Sequence, residues 1–78
     1  MPRYFFNIYD DVVVKDDEGM ELPNLEAARL QALNGARDLI ATQVRHGYME
    51  RSHWLEVEDA AGEVLLNLTF AEAVEIRD

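Results

Sequence analysis

The chain has 78 residues, enough for one small domain spanning 1–78, and carries 16 acidic against seven basic side chains for a net charge of −9. A domain of this length buries only about 60% of the surface its unfolded chain exposes, so a disulfide, a metal or a second subunit often supplements the core. Cysteine is absent, which excludes disulfides, thiolate zinc sites and thiol catalysis and suits a reducing cytoplasm.

No stretch approaches the ~18 apolar residues of a membrane span, and Met1-Pro2-Arg3-Tyr4 does not open a signal peptide. A cytoplasmic protein without membrane contact is expected. The acidic balance repels polyanions, and the basic residues are scattered, so direct nucleic-acid binding is not expected. Arg29, Arg37 and Arg45 recur at a spacing of eight, the pattern of a solvated helix stripe facing Glu26 and Asp38.

From the amino terminus, Tyr4, Phe6 and Ile8 alternate with Phe5, Asn7 and Tyr9, the period of a strand. Asp10-Asp11 makes a turn, and the β-branched run Val12-Val13-Val14 pairs back as a hairpin. Asp16-Asp17-Glu18-Gly19 bends this second strand, which continues through Met20 to Leu22 and stops at Pro23.

Asn24 is a good N-cap, with Glu26 in the first turn where the helix dipole favours a negative charge. Leu25, Ala28, Ala32, Ala36, Leu39 and Val44 then recur at helical spacing, with Ile40 and Gln43 beside the last two. The alanines and Gly35 form a small-residue stripe that lets a helix approach a sheet closely. His46-Gly47 ends it.

After a loop around residues 48–52, Leu55 and Val57 alternate with Trp54, Glu56 and Glu58. Asp59-Ala60-Ala61-Gly62 is a hairpin turn closed by glycine. The returning strand carries Val64, Leu66, Leu68 and Phe70 on one face. Thr69 followed by Glu72 predicts a capped helical turn, with Val74 and Ile76 packing back.

The expected fold is α+β: a four-stranded, mainly antiparallel sheet of order 2-1-3-4 with one long helix on one face. The helix-side layer joins Leu25, Ala28, Ala32, Ala36 and Leu39 to Phe6, Ile8, Leu55, Val57, Leu66 and Leu68. Asn7, Glu56, Asn67 and Thr69 make the opposite face polar, yet Phe5, Tyr9, Val13, Trp54 and Leu65 point there too. That apolar surplus on a face the helix cannot cover makes those five residues the candidate partner contacts.

Chemistry is thinly represented. The acidic residues from Asp10 to Glu21 lack the alternating ligand spacing of a calcium loop, and two histidines without an identified third ligand, His46 and His53, do not define a metal site. They suit cap and surface positions. No cofactor is expected. Ser52 beside His53 shows no base placed against its hydroxyl, and Glu56 with Glu58 suits a solvated or partner-facing pair. The sharpest enzymatic candidate is Pro2, which removal of Met1 exposes as a secondary amine; small tautomerases use such a proline as general base.

Pro2-Arg3-Tyr4-Phe5-Phe6, Asp17-Glu18-Gly19 with Glu21-Leu22-Pro23, and Leu25-Glu26-Ala27-Ala28-Arg29 resemble a bacterial family of short domains of unknown function. Gly62, Val64-Leu65, Leu68, Phe70 and Ala73-Val74 suit the same pattern, so the resemblance covers nearly the whole chain. That family often has His where this chain has Asn7 and Gly where it has Asp11, and it implies no reaction, ligand or partner. In layout the chain is also similar to antitoxins of the HicB type, which place a hairpin before an Ala-rich helix and shield a basic ribonuclease.

Three functions follow as expectations. The leading one is a non-enzymatic interaction or regulatory module, a homodimer joined through the open sheet face or an edge strand. The second is an antitoxin-like partner of a basic protein. The third is a tautomerase-like enzyme using Pro2.

Overall fold

A computed structural model describes every residue from Met1 to Asp78. The elements in chain order are β1 (Arg3–Tyr9), β2 (Val13–Val14), β3 (Met20–Glu21), α1 (Leu25–Arg45), β4 (Trp54–Glu58), β5 (Val64–Thr69) and α2 (Phe70–Ala73). The sheet runs β2-β1-β4-β5 with β3 also paired to β1, and all pairs are antiparallel. α1 therefore carries the chain from one edge to β4, passing β1 by. No helix is long and apolar enough to cross a membrane.

The architecture is the expected α+β one, with five strands in place of four because the edge segment is broken. Val13 and Val14 pair with Tyr9 and Ile8, and Met20 and Glu21 pair with Tyr4 and Arg3. Between them Lys15 to Gly19 leaves the ladder, and Asp16 replaces the missing main-chain partner by accepting the Phe6 N–H on Oδ2 at 3.1 Å. Its other oxygen accepts the Glu18 and Gly19 N–H groups, both at 3.1 Å. Gly19 closes this turn at φ +71°, where an added Cβ would lie 2.9 Å from Arg3 Cγ, Phe5 Cε2 and the Tyr4 carbonyl. Only glycine fits.

Asn24 caps α1 by accepting the Ala27 N–H at 2.9 Å, and His46 is its C-cap. Ala28, Ala32 and Ala36 are wholly inaccessible, so the small-residue stripe does bring the helix onto the sheet. α1 packs on β4 and β5, which leaves Phe6 and Ile8 of β1 half-buried. The helix thus covers part of the face rather than all of it. Leu25 and Val44 are exposed, and Leu33 and Ile40 are buried with the alanines. The apolar stripe is rotated slightly toward Leu33 because the short alanines, not the flanking leucines, set the line of closest approach.

β4 and β5 join through Asp59, whose carboxylate accepts the Ala61 and Glu63 N–H groups at 2.9 Å each. Thr69 caps α2 by accepting the Glu72 N–H. Phe70 therefore belongs to α2 rather than to the strand, and it is fully buried. Val74 packs against the core while Ile76 lies in solvent. Leu66 is half-buried against the core beside the buried Val57 and Leu68, as the helix-side face requires, whereas Val64 is set opposite Glu58 by a register shift and is exposed, so it leaves that face.

Leu68→Ala should cost about 2–5 kcal/mol in urea denaturation, and Leu66→Ala distinctly less because that side chain is already partly wet. Gly19→Ala should lower stability by about 1–3 kcal/mol, since a strained φ and a blocked Cβ coincide there.

Candidate functional site: the open sheet face

Alternation in β1 sends Phe5, Asn7 and Tyr9 away from α1, and the β1–β4 register sets them opposite Glu58, Glu56 and Trp54. Three of the proposed contact residues meet here. The Tyr9 and Trp54 rings stack across the strands with centroids 4.7 Å apart and planes 3° from parallel. Both rings and Phe5 are half-buried, leaving part of each at the surface. Val13 pairs with Tyr9 from the outer edge and is 57% exposed.

Leu65 departs from this set. A bulge pairs Val57 with Leu66 and Glu58 with Val64, which makes Leu65 the extra residue. Its side chain packs against the buried cluster. A bulge breaks the period of two, so counting alternate residues back from Asn67 misplaces it.

Beside the aromatic stack on the same face lies a polar network. Asn7 is 1% exposed, and its Oδ1 accepts the Asp16 main-chain N–H at 2.9 Å. That bond turns the amide nitrogen toward β4, where it donates to Glu56 Oε1 at 3.0 Å and to Glu58. The Tyr9 hydroxyl donates to Glu56 at 3.1 Å and accepts from Lys15 Nζ at 3.0 Å. Lys15 Nζ also lies 3.8 Å from Glu56 and 3.7 Å from Glu58. The bond from Tyr9, and more weakly the charges of Glu58 and Glu56, hold the Lys15 ammonium above the ordinary lysine range against an opposing effect of burial. Glu56 and Glu58 are thus engaged by three donors, and their side chains are only 13% and 21% exposed.

The other candidates stand apart. Pro2 is exposed, and its carbonyl accepts the Leu22 N–H at 3.1 Å, an edge-strand role. A groove of about 290 Å³ lies on the helix side, between α1 and the uncovered strip of β1, floored by Phe6, Ile8 and Leu55. Pro2 does not line it. No three histidine or carboxylate side chains are grouped to hold a metal.

His53 sits inside the protein, 8% exposed, and not at the surface. Gln43 Oε1 accepts the Glu50 N–H at 2.9 Å, which leaves Nε2 to donate to His53 Nδ1 at 3.1 Å. The ring proton then resides on Nε2, which faces Asp11 at 3.6 Å. The ring meets Phe70 edge-on at 5.6 Å. This clamp ties the end of α1 to the start of β4. Its sequence signals are the spacing of 53 with 55 and 57, and Gln43 on the buried stripe.

Split-strand topology, one long helix on one face and a half-wet aromatic pair on the other define a small α+β domain. The chain belongs to the family described as Domain of unknown function (DUF6894), whose sequence pattern matches residues 3–71. No curated protein and no solved structure gives a significant match.

Asp16 provides a pH test of the site's support. Burial pushes its pKa up, but the N–H groups of Phe6, Gly19 and Glu18, with Arg3 nearby, outweigh that and hold it below the ordinary carboxylate value of 3.8. A group depressed on folding stabilises the protein above its unfolded pKa, and that contribution vanishes as pH falls through the folded one. Urea titrations at descending pH should show the loss beginning below about pH 4, and Asp16→Asn should remove this component while lowering stability at neutral pH.

Proposed function

We propose that the chain is a non-enzymatic protein-interaction module that acts as a homo-oligomer and offers its open sheet face to a partner. The observation that carries this is the Tyr9–Trp54 stack, held flat and half-exposed on strands with Phe5 beside it. Two stacked rings present apolar area at little entropic cost, which is why Trp and Tyr recur as interface anchors. The carboxylates beside them already have donors, so covering the face does not strip them of every partner. Engaged acceptors of this kind are also poor candidates for a free general base.

The excess of acid supports a second reading, an antitoxin-like or regulatory partner of a basic protein. Glu56 and Glu58 adjoin the aromatic pair, and the whole chain carries −9. Such a complex should weaken steeply with salt, whereas a contact dominated by the rings should not.

Sedimentation at micromolar concentration is expected to show a dimer, and a monomer throughout the range would overturn the homo-oligomeric part. For the basic-partner reading the probe is a small basic protein encoded beside this gene. Its complex should lose affinity between 50 and 300 mM salt, conditions on the order of those that shorten the Debye length from ~14 to ~6 Å. Trp54→Ala should cost about 2 kcal/mol or more of binding if the stack is the anchor.

A further inference from the structure

The two edges of the sheet are built differently. On the β1 side the edge consists of two-residue strands interrupted by the Asp16 turn, flanked by Lys15, Asp17 and Glu18 and ended by Pro23. Short strands, charges, proline and a break are the devices that stop an edge from recruiting another strand. β5 has none of the first three, and its one irregularity is the bulge at Leu65 near its start. It runs six residues, roughly 20 Å, and no charged or proline residue lies between Glu63 and Glu72.

Its outer side also lacks a partner within the chain. No main-chain hydrogen bond outside the regular ladders involves residues 64–69, and no side chain bonds to their main chain. Residues 74–78 make no main-chain hydrogen bond to it. Val64 is exposed, while Leu65 and Leu66 remain half-buried at this margin despite α1. Outward N–H and C=O groups alternating along an apolar strand are left to water in the single chain, and the protein surface that matches their spacing is another extended strand.

We propose, building on the homo-oligomeric reading above, that two copies of this chain pair antiparallel through β5 and form one continuous sheet. A second copy suits the edge for reasons of charge and symmetry. Two chains of −9 repel one another, and β5 is the edge at which they can approach without opposing charges of like sign. An antiparallel pairing about a two-fold axis is self-complementary. Centred on Leu66 it sets Glu63 opposite Thr69 of the second copy, and centred on Asn67 it sets Glu63 opposite Ala71. Neither register faces acid with acid.

The axis of such a pair stands perpendicular to the sheet, so both α1 helices fall on one side and both open faces on the other. The two Tyr9–Trp54 stacks then share a single surface. Edge pairing doubles the partner-facing area instead of consuming it, which separates it from a dimer joined through the open face.

Amide hydrogen exchange on the full chain across concentration tests this. In the dimer every second amide of β5, the outward set, should gain protection as concentration rises. Asn67→Lys alters an exposed side chain on that strand and places two like charges near the axis. It should weaken the dimer about tenfold or more with the circular dichroism unchanged, while Trp54→Ala leaves the dimer intact. A dimer whose outward β5 amides exchange as freely as in the monomer overturns the edge. So does a dimer lost in Trp54→Ala and kept in Asn67→Lys, which moves the contact to the open face. A monomer at every concentration overturns the homo-oligomeric reading itself.

Discussion

The N–H of Phe6 lies on the outer side of β1 at the place where the edge strand is missing. Left without a partner beneath the Lys15–Gly19 turn, it would cost on the order of 1–3 kcal/mol. Asp16 supplies the acceptor, and the rest of the molecule follows from that one substitution of a carboxylate for a carbonyl. The same residue's own N–H takes Asn7 Oδ1, which turns the Asn7 amide nitrogen toward Glu56 and Glu58. The same turn sets Lys15 over Tyr9 and both carboxylates. Edge repair and organisation of the open face are therefore one structure.

Arg3 holds that turn from the other end, donating to the Glu18 carbonyl at 2.7 Å and to the Glu21 carboxylate at 3.2 Å. Both Arg3 and Glu21 are well exposed, so their ion pair adds little by itself. The Glu18 contact does more, because it fixes the carbonyl side of a turn whose N–H side Asp16 already holds. Gly19 completes it by keeping the space beside Phe5 and Tyr4 clear.

Short-range chemistry was legible in the sequence. Asn24, Thr69 and the Asp59 turn each bond to groups two to four residues away, so type and spacing suffice to place them. The strand order was legible too, since antiparallel pairing throughout leaves few arrangements once the helix must cross over. What escaped were facts of position between distant elements. Periodicity names the buried face of α1 but not which strands lie beneath it, so the uncovered strip of Phe6 and Ile8 did not show. Asp16 looked like one acid in an acidic turn because its partner Phe6 is ten residues back. Of the open face, Phe5, Tyr9 and Trp54 were legible from alternation, and Leu65 was lost to a bulge that no composition rule announces. His53 was placed at the surface because the strand was counted from Trp54, one residue too late for the inward series.

The electrostatics of the open face separate its two readings. Glu56 and Glu58 are held by a buried, fixed amide and by a lysine whose side chain is 57% exposed. The amide belongs to the fold, and Lys15 is the replaceable member. A guanidinium brought by a basic partner has the planar donors to occupy the place between the carboxylates and so to make good the contacts that Lys15 gives up. A neutral partner gains nothing by that exchange and lies on the rings with Lys15 in place. In both proposed readings the face would serve an aromatic contact, and its acid pair would respond only to a cationic partner. Under the proposed function, selectivity on this surface would come from what replaces Lys15, and adhesion from the Tyr9–Trp54 stack.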